Sequence, residues 1–153
     1  MKKTLTAFLL TFSLIGCGPS SAKELKSDLD KAAHILNTAA KTNHQLAASG
    51  VISIEQRRKI ATIIHTANDD LIATIDFAKG ITDANFVSSK AQVKTMLTGI
   101  ATALSATRTG NADIDALLQS AALLLNTAVS LTAKMEKQDI LPYIAEIREW
   151  RLA

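Results

Sequence analysis

Cysteine occurs once in 153 residues, proline twice and glycine six times, and the aromatic complement is four Phe, one Tyr and one Trp. A lone cysteine excludes a disulfide framework and a thiolate metal cluster within one chain. So few glycines and prolines supply too little turn chemistry for a sandwich or barrel of many short strands. Hydrophobic residues make up 48% of the chain and charged ones 20%, a balance too apolar for disorder. Catalytic signatures are missing as well. The sequence has no Gly-rich phosphate loop, no Cys-x-x-Cys-His, no His-Glu-x-x-His and no Gly-x-Ser-x-Gly elbow, each of which places its reactive groups by a fixed spacing. Glu-x-x-His pairs, which di-iron bundles need on facing helices, do not occur. The expectation is a protein that is not an enzyme, with no catalytic residues, no metal ligand set and no cofactor. The length suits one domain with a core of its own.

What is present begins with an address. Met1-Lys2-Lys3 is a short basic start, residues 5–15 form an apolar run, and Gly16-Cys17 follows. A basic start, an apolar stretch of about 7–15 residues and a small residue before the cut describe a secretory signal. The run is shorter than the roughly 20 residues a membrane-spanning helix needs. Leu14-Ile15-Gly16-Cys17 resembles the lipobox of bacterial lipoproteins. That resemblance implies a diacylglyceryl group on the Cys17 thiol, cleavage before Cys17, and acylation of the new amino end. Two or three acyl chains, at about 0.8 kcal/mol per buried methylene, make such an anchor effectively permanent. Position 18 is Gly rather than Asp, and by the same resemblance the inner-membrane retention signal is absent. The implied address is the cell envelope, at the outer membrane facing the periplasm where the source has two membranes. Loss of Lys2 and Lys3 lowers the formal charge from +3 to near +1, which leaves no basic excess for nucleic acid. The expected organisation is a cleaved signal over 1–16, a lipidated Cys17 and short tether over 17–21, and one helical domain over 22–153.

Within that domain the apolar residues recur in steps of three and four. A first helix over 22–49 carries Leu25, Leu29, Ala32, Leu36, Ala39, Asn43 and Leu46 on one seam, and Gly50 supplies its stop. Ser53 and Gln56 fit a capping box opening a second helix that runs to Lys79, with Ile60, Ile64, Ala67, Leu71, Ile75 and Ala78 inward. A third helix starts at Asp83, or at Ser89 with Gln92 as its box partner, and carries Val93, Leu97, Ile100 and Leu104. Within it, Gly99 costs about 1 kcal/mol unless a neighbour packs against it. A fourth helix covers 112–137, and a short fifth covers 140–151 with Asp139 as N-cap and Pro142 in its first turn. Residues 116–133 carry no charge, but Gln119, Asn126, Ser130 and Lys134 mark a polar stripe, which suits the most buried helix of a bundle better than a membrane span. The predicted fold is all-α: an antiparallel up-down four-helix bundle with a short C-terminal fifth helix.

Few residues stand out as sites. His34 and His44 are ten apart on one helix, about 15 Å along its axis and too far to share an ion, whereas His65 can approach either. Asp69, Asp70 and Asp76 offer carboxylates on the second helix, but neighbours in sequence point in different directions around a helix. Arg57, Arg58, Lys59 and Arg108 should share the end of the bundle away from the anchor, about 40 Å out. There they form either a docking patch or a solvated end balanced by Glu55, Asp113 and Asp115. Ile140, Tyr143, Ile144, Ile147 and Trp150 form one stripe, which either closes the other end or presents Tyr143 and Trp150 to a partner. The expectation is a non-catalytic, lipid-anchored envelope protein acting as an interaction or structural accessory module. Its contacts would be the membrane through Cys17 and an envelope protein partner, with no nucleic acid. The alternative is a carrier that holds an apolar molecule or lipid between its helices, which needs a cavity of about 300 Å³ or more.

Overall fold

The computed structural model describes residues 21–140 and 144–151. The leader, Cys17 and its lipidation, Pro142 and Tyr143 lie outside the described residues. Four long helices and two short ones follow in order: α1 (Ser21–Ala48), α2 (Ile54–Ala78), α3 (Phe86–Ala106), α4 (Ala112–Lys134), α5 (Lys137–Ile140) and α6 (Ile144–Arg148). No strand occurs among the described residues. The 28 residues of α1 give the bundle a long axis of about 42 Å.

Each turn is set by local chemistry. At Gly50, φ is +75°, a backbone region where a Cβ is penalised. Around it Val51 N–H donates to the Leu46 carbonyl at 2.9 Å and Gly50 N–H to the Ala47 carbonyl at 3.2 Å. This pair of bonds is a Schellman stop. The expected capping box then opens α2: Gln56 N–H donates to Ser53 Oγ at 3.1 Å, and Ser53 N–H to Gln56 Oε1 at 2.9 Å. Gly110, with φ +79°, turns the chain into α4, whose N-cap Asn111 accepts from the Asp113 and Ile114 N–H groups.

Two boundaries differ from the sequence expectation. Helix α3 starts at neither Asp83 nor Ser89, because Asn85 is spent on the preceding loop. Its Oδ1 accepts from Thr82 N–H at 2.6 Å and its Nδ2 donates to the Gly80 carbonyl at 3.0 Å. Burial of Ile81 and Phe86 then fixes where the helix begins, and Ser89 is a buried residue inside it. The C-terminal segment is two short helices rather than one over 140–151. Asp139 lies inside α5 instead of capping a helix, and the sequence puts Pro142, which disfavours helix at the residue before it, between α5 and α6.

The helices alternate in direction, so the α1–α2 and α3–α4 turns share one end, the turn pole. The opposite end, the terminal pole, holds the start of α1, the α2–α3 connection, α5 and α6. Packing around the bundle is uneven. Helix α4 lies close against α1 and α3, whereas α2 meets α1 and α3 more sparsely. Side-chain size explains the difference. Ala32, Ala33 and Ala39 of α1, Ala101 of α3, and Ala121, Ala122 and Ala128 of α4 are fully buried and let backbones approach. The face of α2 is built largely of Ile60, Ile64, Leu71 and Ile75, which hold its axis farther out. Helix α4 is long and apolar enough to cross a membrane by length and composition, and 33% of that stretch is buried in the bundle. Leu123 stands 68% exposed on its outer side.

Candidate functional site

The four cations share the turn pole but not a role. Arg108 folds back on the end of α3, where its Nη1 donates to the Ser105 and Thr107 carbonyls at 2.8 and 2.7 Å. This guanidinium complements the negative end of the helix dipole. Beside it, the Asp115 carboxylate accepts from both Thr109 N–H and Thr109 Oγ1, at 2.8 and 2.7 Å. The Thr109 backbone bond, then the hydroxyl and Arg108, hold that carboxyl below its ordinary range. Gln119 Nε2 closes this corner by donating to the Ser105 carbonyl. The α3–α4 corner is thus saturated by its own contacts.

The α1–α2 corner is not. Lys59 pairs with Glu55 at 2.8 Å, but Arg57 and Arg58 are exposed and make no ion pair among the described residues. Val51 and Ile54 stand 63% and 67% exposed in the same turn. The corner therefore presents two β-branched apolar side chains together with two free guanidinium groups.

Below this corner, between α1 and α2, lies a groove of about 120 Å³ lined by Ala40, Asn43, His44, Arg57, Ala61, Ile64 and His65. Two of the three histidines meet here; His34 is not among the lining residues. No group of three or more His, Cys, Asp or Glu able to hold a metal ion occurs among the described residues. Asn43 is 2% exposed, and its Nδ2 donates to the Arg57 carbonyl at 2.9 Å, tying α1 to the first turn of α2. Its Oδ1 is buried with no hydrogen-bond partner. Sequence reading placed Asn43 on the inward seam and saw that His65 could reach His44. It did not find the groove, although a buried amide on an apolar seam was its one legible signal.

The terminal pole closes differently. Trp150 is 4% exposed and packs with Ile140 and Ile147 against Ala22, Leu25, Ile81 and Met135 around a residual space of only about 20 Å³. Trp150 is thus a core residue here, not a displayed contact. Its Nε1 has no partner among the described residues. The acidic residues of α2 are dispersed: Asp76 pairs with Lys79 at 2.6 Å, and Asp70 borders an open groove with Thr74 and Gly99 between α2 and α3.

The chain matches no family model, no curated protein and no solved structure.

Proposed function

We propose that this chain is a non-catalytic bacterial lipoprotein of the cell envelope, anchored through acylated Cys17, that works by presenting the α1–α2 corner to a protein partner. The observation that carries the reading is that corner: exposed Val51 and Ile54 beside the unpaired Arg57 and Arg58. Arg is enriched at protein interfaces, and the exposed Val51 and Ile54 beside it supply apolar area that a partner would remove from water. Its position adds support. The helix leading from the tether ends at this corner, so an anchor at Cys17 would hold the corner about 40 Å from the bilayer. A partner surface with acidic residues around an apolar pocket is the complementary chemistry. The apolar space at the terminal pole is about 20 Å³ and the open groove between α2 and α3 about 230 Å³, both below the roughly 300 Å³ at which ligand pockets begin, so neither supports the carrier alternative.

A photo-crosslinking residue at position 54, in cells making the full chain, should trap a discrete protein adduct. Adducts at position 123 on α4 with none at 51 or 54 would overturn the choice of surface. Cys17→Ala should abolish acyl labelling and leave uncut precursor, and labelled mature protein in that variant would remove the anchor from the proposal.

A further inference from the structure

We propose that the groove between α2 and α3 binds a primary alkylammonium group, paired with Asp70 and lying over Gly99. The site is on the flank of the bundle, goes beyond the anchored-interaction reading and does not depend on it.

The first observation is a glycine that the fold does not need. Gly99 stands in the interior of α3, where glycine costs about 1 kcal/mol relative to alanine. No close contact calls for it, since a Cβ there would meet nothing within 4 Å, and its φ is not positive. What the missing side chain leaves is space. Gly99 lines an open groove of about 230 Å³ with Asp70, Thr74, Thr95, Met96 and Ile100, and a side chain at 99 would stand in it.

The polar part of that lining accepts hydrogen bonds and offers none. Thr74 Oγ1 donates its proton to the Asp70 carbonyl at 2.7 Å, and Thr95 Oγ1 donates to the Ala91 carbonyl at 3.0 Å. Neither hydroxyl has a second proton, and Met96, Gly99 and Ile100 bring no side-chain donor. Asp70 and Thr74 stand one turn apart on the flank of α2 that faces α3, so the Asp70 side chain leaves its helix on that flank. The residue is exposed, and its carboxylate has no ion pair or hydrogen bond among the described residues.

Acceptors with one uncompensated negative charge select a cation that carries its own donors. A metal ion is a poor match, because hard cations take about six or more oxygens and no group of three or more His, Cys, Asp or Glu able to hold one occurs among the described residues. An alkylammonium matches both halves of the groove. Its N–H groups answer the acceptors, and its methylenes cover Met96 and the bare Gly99 backbone. Met96 suits that floor, since an unbranched thioether adapts to the shape above it. A volume below the roughly 300 Å³ of drug-sized pockets keeps the class small: a free amine or diamine, or a lysine side chain.

The test is a titration of the full chain in detergent micelles, followed through the Met96 methyl resonance. Met135, buried at the terminal pole, is the internal control. n-Butylammonium should shift Met96 saturably and leave Met135 in place, whereas butyrate and n-butanol should shift neither. Asp70→Asn should weaken binding about threefold or more, the scale of an exposed ion pair. Asp69→Asn, on a different face of α2, should leave it unchanged. Substitution at Gly99 separates the site from the fold: Gly99→Ala and Gly99→Leu should weaken binding in that order, with Tm raised rather than lowered. No saturable Met96 shift, equal shifts with butyrate, an unaffected Asp70→Asn variant, or Gly99→Leu binding as tightly as the unsubstituted chain would each overturn the site. Putrescine against an Nα-acetyl-lysine amide separates the sources. Tighter binding of the first assigns a free amine and of the second a lysine side chain, and both uphold the site. Loss of the corner's cross-links leaves it standing, so the two proposals fail separately.

Discussion

The two poles of the bundle close by opposite means. At the terminal pole, Met135, Ile140, Ile147 and Trp150 extend the apolar core to the end of the molecule, and Lys90 lies 5.9 Å from the Phe86 ring while donating to the Met135 carbonyl. At the turn pole the closing contacts are hydrogen bonds: a Schellman stop, a capping box, and the Thr109–Asp115 pair. At the terminal pole the core is filled to its end beneath the hydrogen-bonded α2–α3 loop, whereas the turn pole leaves a groove between α1 and α2 and the unpaired Arg57 and Arg58 beside its hydrogen bonds. Recognition in such a bundle has a preferred place. It belongs at the end that the core does not seal.

The largest expected effect is at Trp150, at the centre of the terminal pole. Trp150→Ala should destabilise the chain by about 3–5 kcal/mol, read from the midpoint shift in urea with an unchanged slope. A cost below about 1 kcal/mol would mean the terminal pole is not part of the core. Ser53→Ala, which removes the capping box at the other pole, should cost only about 1 kcal/mol. A loss as large as that of Trp150→Ala would erase the distinction between the poles. Gly99 offers a control that belongs to neither. A methyl group there would meet nothing within 4 Å, so Gly99→Ala should raise stability by about 0.5–1 kcal/mol, measurable as a higher Tm.

The smallest effects concern acid, and they carry opposite signs at the two poles. Asp115 is held below its ordinary range chiefly by the Thr109 N–H. Its contribution is present above the unfolded carboxylate value, near 3.9, and is lost as pH falls through the lower folded value. Asp28, near the start of α1, is pushed up by burial against the opposing pull of Lys31 at 3.7 Å. Folding therefore favours its protonated form, and the charged form costs stability as pH rises through the folded value. Asp28→Asn should give a small gain at pH 7 that disappears in acid, while Asp115→Asn should give a loss at pH 7 that disappears in acid. Two parallel urea series across pH 2–7 separate them, and like-signed curves would refute the assignment.

Much of the bundle is legible from spacing alone. Leu25, Leu29, Ala32, Leu36 and Ala39 face inward as their period requires, as do Ile60, Ile64, Ala67 and Leu71, because a helix that repeats every 3.6 residues has one way to bury such a stripe. Capping at Ser53 was equally readable, since both partners lie within four residues. The start of α3 was not. Asn85 bonds backward to Gly80 and Thr82, and nothing local distinguishes that choice from capping its own helix. Nor could spacing reveal that Arg57 and Arg108, both cations near helix ends, would differ so completely. One lines a groove, and the other is folded onto carbonyls. The groove itself depends on the register between α1 and α2, which no periodicity within either helix contains.

The alanine seam between α1 and α4 also orders events in time. The closest packing joins the first long helix to the last, so its contacts span most of the chain and require a large loop to close. A nascent chain grows by about 5–20 residues each second, and until residues 112–134 exist, the buried faces of α1 and α3 lack the helix they pack on most closely. The bundle is thereby kept from maturing early.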